Sequence, residues 1–326
     1  MRFGIGLWCL QSSAASPRHH AQAYRHLAED AVIAERLGFE SLWLSEHHFF
    51  YDGYCPALLT AAAHALAHTT KLRLGTGMLL LPYQDPERVT RAAIDVGRRS
   101  GGRLDFGVGL GYRDVEFEGK GISRRSRVNR QERTLDLVDT AAGQETLVVW
   151  GGAQTEVGVR RAGGRGYPIL LSGALPLTLA TDLVAAHREA WEHAGRPGGV
   201  PPTAGALRNV WVTDDPHERT AVLDWQRASY VLYAGLGWSV DATGANDEMD
   251  FARATDVAVQ AAVDTTIIGP ASEVIDGLHQ VGAAGIDYVV FRIGLEGAPR
   301  SAIHSVMQRL SNEVVPAMTA VRGVLA

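Results

Sequence analysis

Short β-rich runs alternate with helical stretches along the chain, and this alternation predicts an α/β protein of the (β/α)8 TIM-barrel class. Eight strand candidates, each followed by a helical stretch, fit within 326 residues, a length that suits one barrel domain spanning 1–326. A third observation is the run Ser41-Leu42-Trp43-Leu44-Ser45-Glu46-His47-His48, where an apolar strand ends in a carboxylate and two imidazoles. Titratable groups at the carboxyl end of a buried strand are where barrels and open sheets place their chemistry. A doubly wound open sheet is the alternative topology.

The first strand runs from about Phe3 to Trp8. A helix from about His20 to Leu37 sets Leu27, Ala31, Ala34 and Leu37 on one face, and Gly38 ends it. The second strand, Ser41 to Ser45, leads past Pro56 to an alanine-rich helix over Ala57 to Thr69. Strand three is Leu72 to Leu80, and Asp85-Pro86 reads as an N-cap with proline at the first helical position. That helix closes at Gly101-Gly102 before strand four, Leu104 to Gly109. A charged helix over Asn129 to Ala142 precedes strand five, Thr146 to Trp150; strand six is Ile169 to Ser172 and strand seven Ala206 to Val212. Strand eight, Tyr288 to Ile293, follows a helix opened by Pro270-Ala271-Ser272-Glu273. Between strands seven and eight lies a long insertion, Thr213 to Asp287. Its acidic middle, Asp241 to Asp250, is a candidate lid or a solvated surface excursion.

Composition bounds the function. With 46% hydrophobic and 21% charged residues the chain reads as a soluble globular protein. A net charge of −5 speaks against nucleic acid as a partner. The N-terminus passes straight into a strand pattern, and no apolar run reaches membrane-spanning length, so a cytoplasmic protein without a membrane partner is expected. Two cysteines, Cys9 and Cys55, offer neither a disulfide framework nor a zinc site.

Neighbouring strand residues point to opposite faces, so at most one of His47 and His48 should face the barrel mouth. A metal site needs three or four convergent ligands, and no such pattern is present, so no metal is expected. An imidazole suits a general acid or base; a capping or core histidine is the competing reading for either residue. Gly107-Val108-Gly109-Leu110-Gly111-Tyr112 fails as a dinucleotide fingerprint because Tyr112 stands where glycine is required. Glycines at a strand's carboxyl end still let a flat ligand approach the backbone, and Gly75-Thr76-Gly77-Met78 has the same character. Gly151, Gly152 and Thr155 join strand five to a helix N-terminus, which reads either as an anion site or as a plain tight turn.

Taken together, Ala34 to His48, Leu72 to Gly77 with Leu81-Pro82, Ser100 to Tyr112, Glu116-Phe117, Ile268-Gly269-Pro270 and Gly282 to Asp287 resemble the bacterial luciferase-like, flavin-dependent superfamily. The resemblance is dense over residues 1–120 and 265–295 and thin between them. It implies a flavin at the carboxyl ends of the strands, a cis peptide at Gly77-Met78 against the flavin ring, an active-site His47 oriented by Glu46, and cofactor contacts from Gly109 and Gly111. It also places a phosphate at Gly151, Gly152 and Thr155. Many relatives that use flavin mononucleotide (FMN) carry arginine where this chain has Leu110, which leaves Arg127 or Arg130 as substitute cations. The function implied is a monooxygenase that takes reduced FMN from a separate flavin reductase and uses O2 on a small apolar or aromatic substrate, in a homodimer. Trp8, Phe49, Tyr51, Tyr83 and Trp238 are the aromatic candidates for that pocket. An F420-dependent hydride-transfer enzyme is the alternative, and a non-catalytic flavin-binding subunit is the third reading.

Overall fold

The computed structural model describes residues 1–8, 10–11, 17, 19–49, 54–141, 147–195, 201–234 and 259–320. The order of its elements is that of a (β/α)8 barrel, as the alternation predicts. The chain divides into two compact units, residues 7–152 and residues 1–6 with 153–326.

In the unit of residues 7–152, strands β2 (Ser41–Leu44), β3 (Arg73–Thr76), β5 (Leu104–Gly109) and β6 (Val148–Ala153) pair in parallel, in that order. Strand three is not the continuous run predicted. Its ladder stops after Thr76 and resumes as β4 (Leu79–Leu80), which pairs with Val108 and Gly109. The helices are α1 (His20–Arg36), α2 (Leu58–Ala67), α3 (Pro86–Arg99), α4 (Asp114–Gly119) and α5 (Arg127–Ala141). Helix α3 is locally well specified. Asp85 caps it by accepting from the Arg88 N–H at 2.8 Å, Pro86 opens it, and Arg98 and Arg99 meet the carbonyl end of its dipole. Its buried stripe of Val89, Thr90, Ala93, Ile94 and Gly97 follows the helical period.

The base of this sheet is held by a partly buried polar network. Arg73 forks onto Asp105 at 2.8 and 3.0 Å, and Trp150 Nε1 donates to the same carboxylate at 3.1 Å. Trp150 in turn meets Trp43 edge to face, 5.4 Å between centroids. The Trp43 ring lies over Gly75 so closely that a Cβ there would stand 2.1 Å from Cδ2.

In the other unit, β1 (Arg2–Trp8, through Gly6), β10 (Tyr288–Arg292), β8 (Ala204–Val212) and β7 (Ile169–Leu171) form a parallel run. Its helices include α6 (Glu156–Arg165), α7 (Leu177–His193), α8 (Pro216–Ala234), α9 (Ala271–Ala283), α10 (Arg300–Arg309) and α11 (Val315–Ala320). The long insertion contains one element the sequence pattern did not reveal: β9 (Ile267–Gly269) extends the sheet beside Val210–Val212 of β8. Residues 241–250, the candidate lid, lie outside the described residues, as does Cys9.

Candidate active site

The site begins where β2 ends. Strand alternation sends successive side chains to opposite sides, and Glu46, His47 and His48 accordingly find different partners. His47 is 7% exposed, and its Nδ1 lies 3.0 Å from Glu116 Oε1. Glu116, on α4, is fully buried. Its Oε1 also accepts from the His48 backbone N–H at 2.8 Å and from Arg113 Nη1 at 3.2 Å, while Oε2 accepts from the Tyr83 hydroxyl at 3.2 Å. Burial pushes the Glu116 carboxyl up, but the hydrogen bond and charge of His47, the His48 N–H and the Arg113 guanidinium outweigh it and hold the group below the ordinary carboxylate value. Burial, with Glu116 beside it, raises the Tyr83 phenol above its ordinary value.

An ionised Glu116 can only accept, so it requires a proton on Nδ1 of His47. The Nε2 atom lies 3.4 Å from the Tyr112 hydroxyl. Tyr54 packs edge-on against the same ring at 5.0 Å, and its own hydroxyl bonds Ser45 Oγ at 2.7 Å. This is the logic of a carboxylate-oriented imidazole base.

Glu46 does not orient His47, contrary to the expectation from the sequence. Its Oε1 bonds His48 Nε2 at 2.6 Å and Gln84 Nε2 at 3.3 Å, and its Oε2 accepts from the Leu80 N–H at 2.9 Å. Side chains at adjacent positions of an extended chain point to opposite sides, so those of Glu46 and His47 take different partners. Glu46 and His48 therefore tie the end of β2 to β4, a bracing role. The residue that holds His47 is Glu116, which the sequence offered only as part of a resemblance. The Arg113/Glu116 spacing of three on a short helix was the available signal.

The peptide bond Gly77-Met78 is cis, at the interruption between β3 and β4. Gly77 donates to Leu44 O at 2.6 Å, which places this break beside the end of β2. What lies against the glycines of β5 and β6 is the Met78 side chain: a Cβ at Gly109 would stand 3.0 Å from its Cβ, and one at Gly152 would stand 2.4 Å from its Cγ. Gly111 (φ +70°) is likewise covered by the Tyr83 hydroxyl. On the side where a Cβ would stand, the space at Gly109, Gly111 and Gly152 is therefore filled by protein side chains. Accessible surface remains at Gly77, Met78, Leu110, Gly111, Tyr112, Gly151 and Gly152, a partly exposed shelf at the ends of otherwise buried strands. A planar, largely apolar ring fits such a shelf.

The chain then passes from β6 into α6. Thr155 caps that helix, its Oγ1 accepting from the Gly158 N–H at 3.3 Å, and its own hydroxyl proton remains available to an anion at the helix N-terminus. Arg130 is not a free cation. Its Nε donates to Pro82 O at 2.7 Å and its Nη2 to Gln84 O at 3.4 Å, which braces the turn over Leu81–Tyr83. Arg127 Nη1 reaches Arg124 O. Of the aromatic candidates, Trp8 is buried on Asp30 (3.0 Å), Tyr83 belongs to the Glu116 cluster, and Phe49 is 54% exposed. Tyr51 and Trp238 lie outside the described residues. Among the described residues no group of three or more His, Cys, Asp and Glu could hold a metal ion, and no helix is long and apolar enough to cross a membrane.

Among solved structures, the chain is similar to the monooxygenase RslO1 from Streptomyces bottropensis, with a TM-score of 0.78 at 20% identity over 98% of this chain and 100% of that one. The FMN-bound oxygenating constituent of 3,6-diketocamphane monooxygenase from Pseudomonas putida aligns with a TM-score of 0.76 at 17% identity, covering 97% and 98%. The F420-dependent tetrahydromethanopterin reductase of Methanopyrus kandleri aligns with a TM-score of 0.69 at 16% identity, covering 97% and 99%. At these identities the likeness establishes the (β/α)8 fold. By sequence, the 4-hydroxyprotoasukamycin monooxygenase of Streptomyces nodosus subsp. asukaensis is 27% identical over 329 aligned residues, 89% of this chain and 86% of that protein. Other curated relatives are matched over about a third of their length, 29% for an uncharacterized Sinorhizobium fredii protein and 36% for the alkanal monooxygenase alpha chain of Photobacterium phosphoreum. The model of the luciferase-like monooxygenases matches residues 1–288, and the chain belongs to that family.

Proposed function

We propose that this protein is the oxygenase component of a two-component system, taking reduced FMN from a separate flavin reductase and O2 to oxidise a small organic substrate. The observation that carries the proposal is the buried imidazole of His47 at the end of β2, fixed at Nδ1 by buried Glu116 and with Nε2 beside the Tyr112 hydroxyl. When bound, reduced FMN supplies the electrons for activating O2. Gly77, Met78 and the half-exposed ends of β5 and β6 would seat its ring, and Gly151, Gly152 and Thr155 its phosphate. His47 Nε2 takes or returns a proton at the reacting centre, with the Tyr112 hydroxyl beside it. Arg113 keeps Glu116 ionised, so His47 holds one tautomer through the cycle. The buried aromatic lining limits the entry of water. On this reading residues 1–326 act as one catalytic domain in a cytoplasmic homodimer.

An anaerobic titration with reduced FMN and, separately, with reduced F420 tests this, followed by admission of O2 with absorbance monitoring. Tight binding of reduced FMN and a transient near-ultraviolet band after O2 are expected. Tight binding of F420 with no reaction toward O2 would replace the proposal with an F420-dependent hydride transfer. Binding of reduced FMN with no reaction toward O2 would leave a non-catalytic flavin-binding subunit.

A further inference from the structure

Strand β8 carries a buried cation that the chemistry above does not use. Arg208 is 2% exposed. Its Nη1 donates to Gly173 O at 3.1 Å and to Leu175 O at 2.9 Å, in the segment that follows β7. Among the described residues, its buried Nε and Nη2 have no acceptor. These two N–H groups form one edge of the guanidinium and point the same way, the fork that receives a carboxylate side-on. Among the described residues no carboxylate is paired with it. Burial brings its pKa down to about 10, which leaves the group charged at neutral pH. A buried charge with two unmade hydrogen bonds is costly to the fold, and a bound oxyanion would satisfy both at once.

The register fixes the face on which the fork lies. Arg208 stands opposite Phe291 of β10. Phe291 stacks on Phe3, with centroids 5.1 Å apart and planes 18° from parallel. The next residues on the other face of β8, Asn209 and Trp211, meet helix α8 through the Tyr230 hydroxyl at 3.0 Å and the Trp225 ring at 5.9 Å. Arg208 therefore occupies the face turned away from α8, and its bonds to Gly173 O and Leu175 O bring its guanidinium to the carboxyl end of β7, the end of the strands at which this fold places ligand sites. On that face a carboxylate fork adjoins a pair of phenyl rings.

We infer that Arg208 is the anchor of a substrate site that takes organic acids, its free edge clamping the carboxylate while the apolar body packs toward Phe291. The use made of the acid rests on the monooxygenase reading, whereas its binding does not.

Calorimetric titration of the flavin-free protein with sodium benzoate, with neutral benzamide and with inorganic phosphate tests the site in wild type, Arg208→Lys and Arg208→Met. Benzoate is expected to bind wild type and benzamide not to. Arg208→Lys, which keeps the charge but loses the fork, should weaken benzoate roughly tenfold or more, and Arg208→Met should abolish it. Circular dichroism establishes that each variant folds; should Arg208→Met fail to, the lysine variant carries the comparison. No benzoate binding to wild type, equal binding of benzoate and benzamide, or wild-type affinity in Arg208→Lys would overturn the inference. Binding of phosphate in preference to benzoate would overturn it too. A parallel titration with FMN separates the two readings: if FMN does not bind while benzoate follows the Arg208 pattern, the acid site stands and the monooxygenase reading falls.

Discussion

Replacing Glu116 with glutamine is the most searching perturbation of the site, because one fully buried carboxylate receives four donors. A glutamine carbonyl in the place of Oε1 can still accept from His47, the His48 N–H and Arg113, but as a neutral group. Its amide then faces the Tyr83 hydroxyl, which must turn from donor to acceptor. Hydrogen bonds to charged partners contribute about 1.5–3 kcal/mol against about 1 for neutral ones. Three such bonds demoted together cost about 3 kcal/mol, and Arg113 left buried without its counter-charge brings the expected loss to about 3–5 kcal/mol.

The sign of the pH dependence follows from the depressed carboxyl. Below the ordinary carboxylate range the folded protein binds fewer protons at Glu116 than the unfolded chain does. This contribution is therefore complete above that range and is lost as pH falls through the lowered folded value. Chemical denaturation between pH 3 and 7 should show wild type losing stability on the acid side, with that limb flattened in Glu116→Gln. As a positioning residue, Glu116 should also affect the reaction of bound reduced FMN with O2, slowing it by about 10²-fold while FMN affinity changes little. Wild-type stability at pH 7 with an unchanged acid limb would refute the account of this cluster.

Three further outcomes are expected. His47→Ala should abolish turnover while leaving FMN binding within about tenfold, roughly 1.4 kcal/mol, and undiminished oxygen-dependent turnover would remove its role. Thr155→Ala should lower stability by about 1 kcal/mol through the lost cap, and should weaken FMN but not riboflavin; equal weakening of both in fluorescence titrations would place the phosphate elsewhere. Gly75→Ala puts a Cβ 2.1 Å from Trp43 Cδ2. Displacing that indole should cost about 1–3 kcal/mol or more by denaturant titration, and a neutral outcome would show the ring free to move.

The fold and the site were legible to different depths. Strand–helix alternation and cap chemistry are local, so Asp85-Pro86, Gly38 and the strand ends mark element positions directly. Pairing is not local. Nothing near Ile267 says that three residues will extend β8, because that depends on what lies beside Val210 in space. The glycines are ambiguous for a related reason. A glycine records only that something comes close, and at Gly109 and Gly152 the thing that comes close is Met78.

The same distinction explains the histidines. The run Glu46-His47-His48 announces chemistry but hides its pairing, since the partner that matters to His47 is 69 positions away in sequence. Sequence adjacency pointed to Glu46, and strand alternation, the better guide, already argued against it. Arg208 shows the converse. In the sequence it is one arginine between Leu207 and Asn209. Only the register beside Phe291 and the carbonyls of Gly173 and Leu175 reveal a guanidinium with one edge committed and the other free. A residue's chemistry is set by its type, but whether that chemistry is already satisfied within the fold is set by contacts distant in sequence. A buried donor left unsatisfied is therefore a pointer to a ligand that sequence periodicity cannot supply.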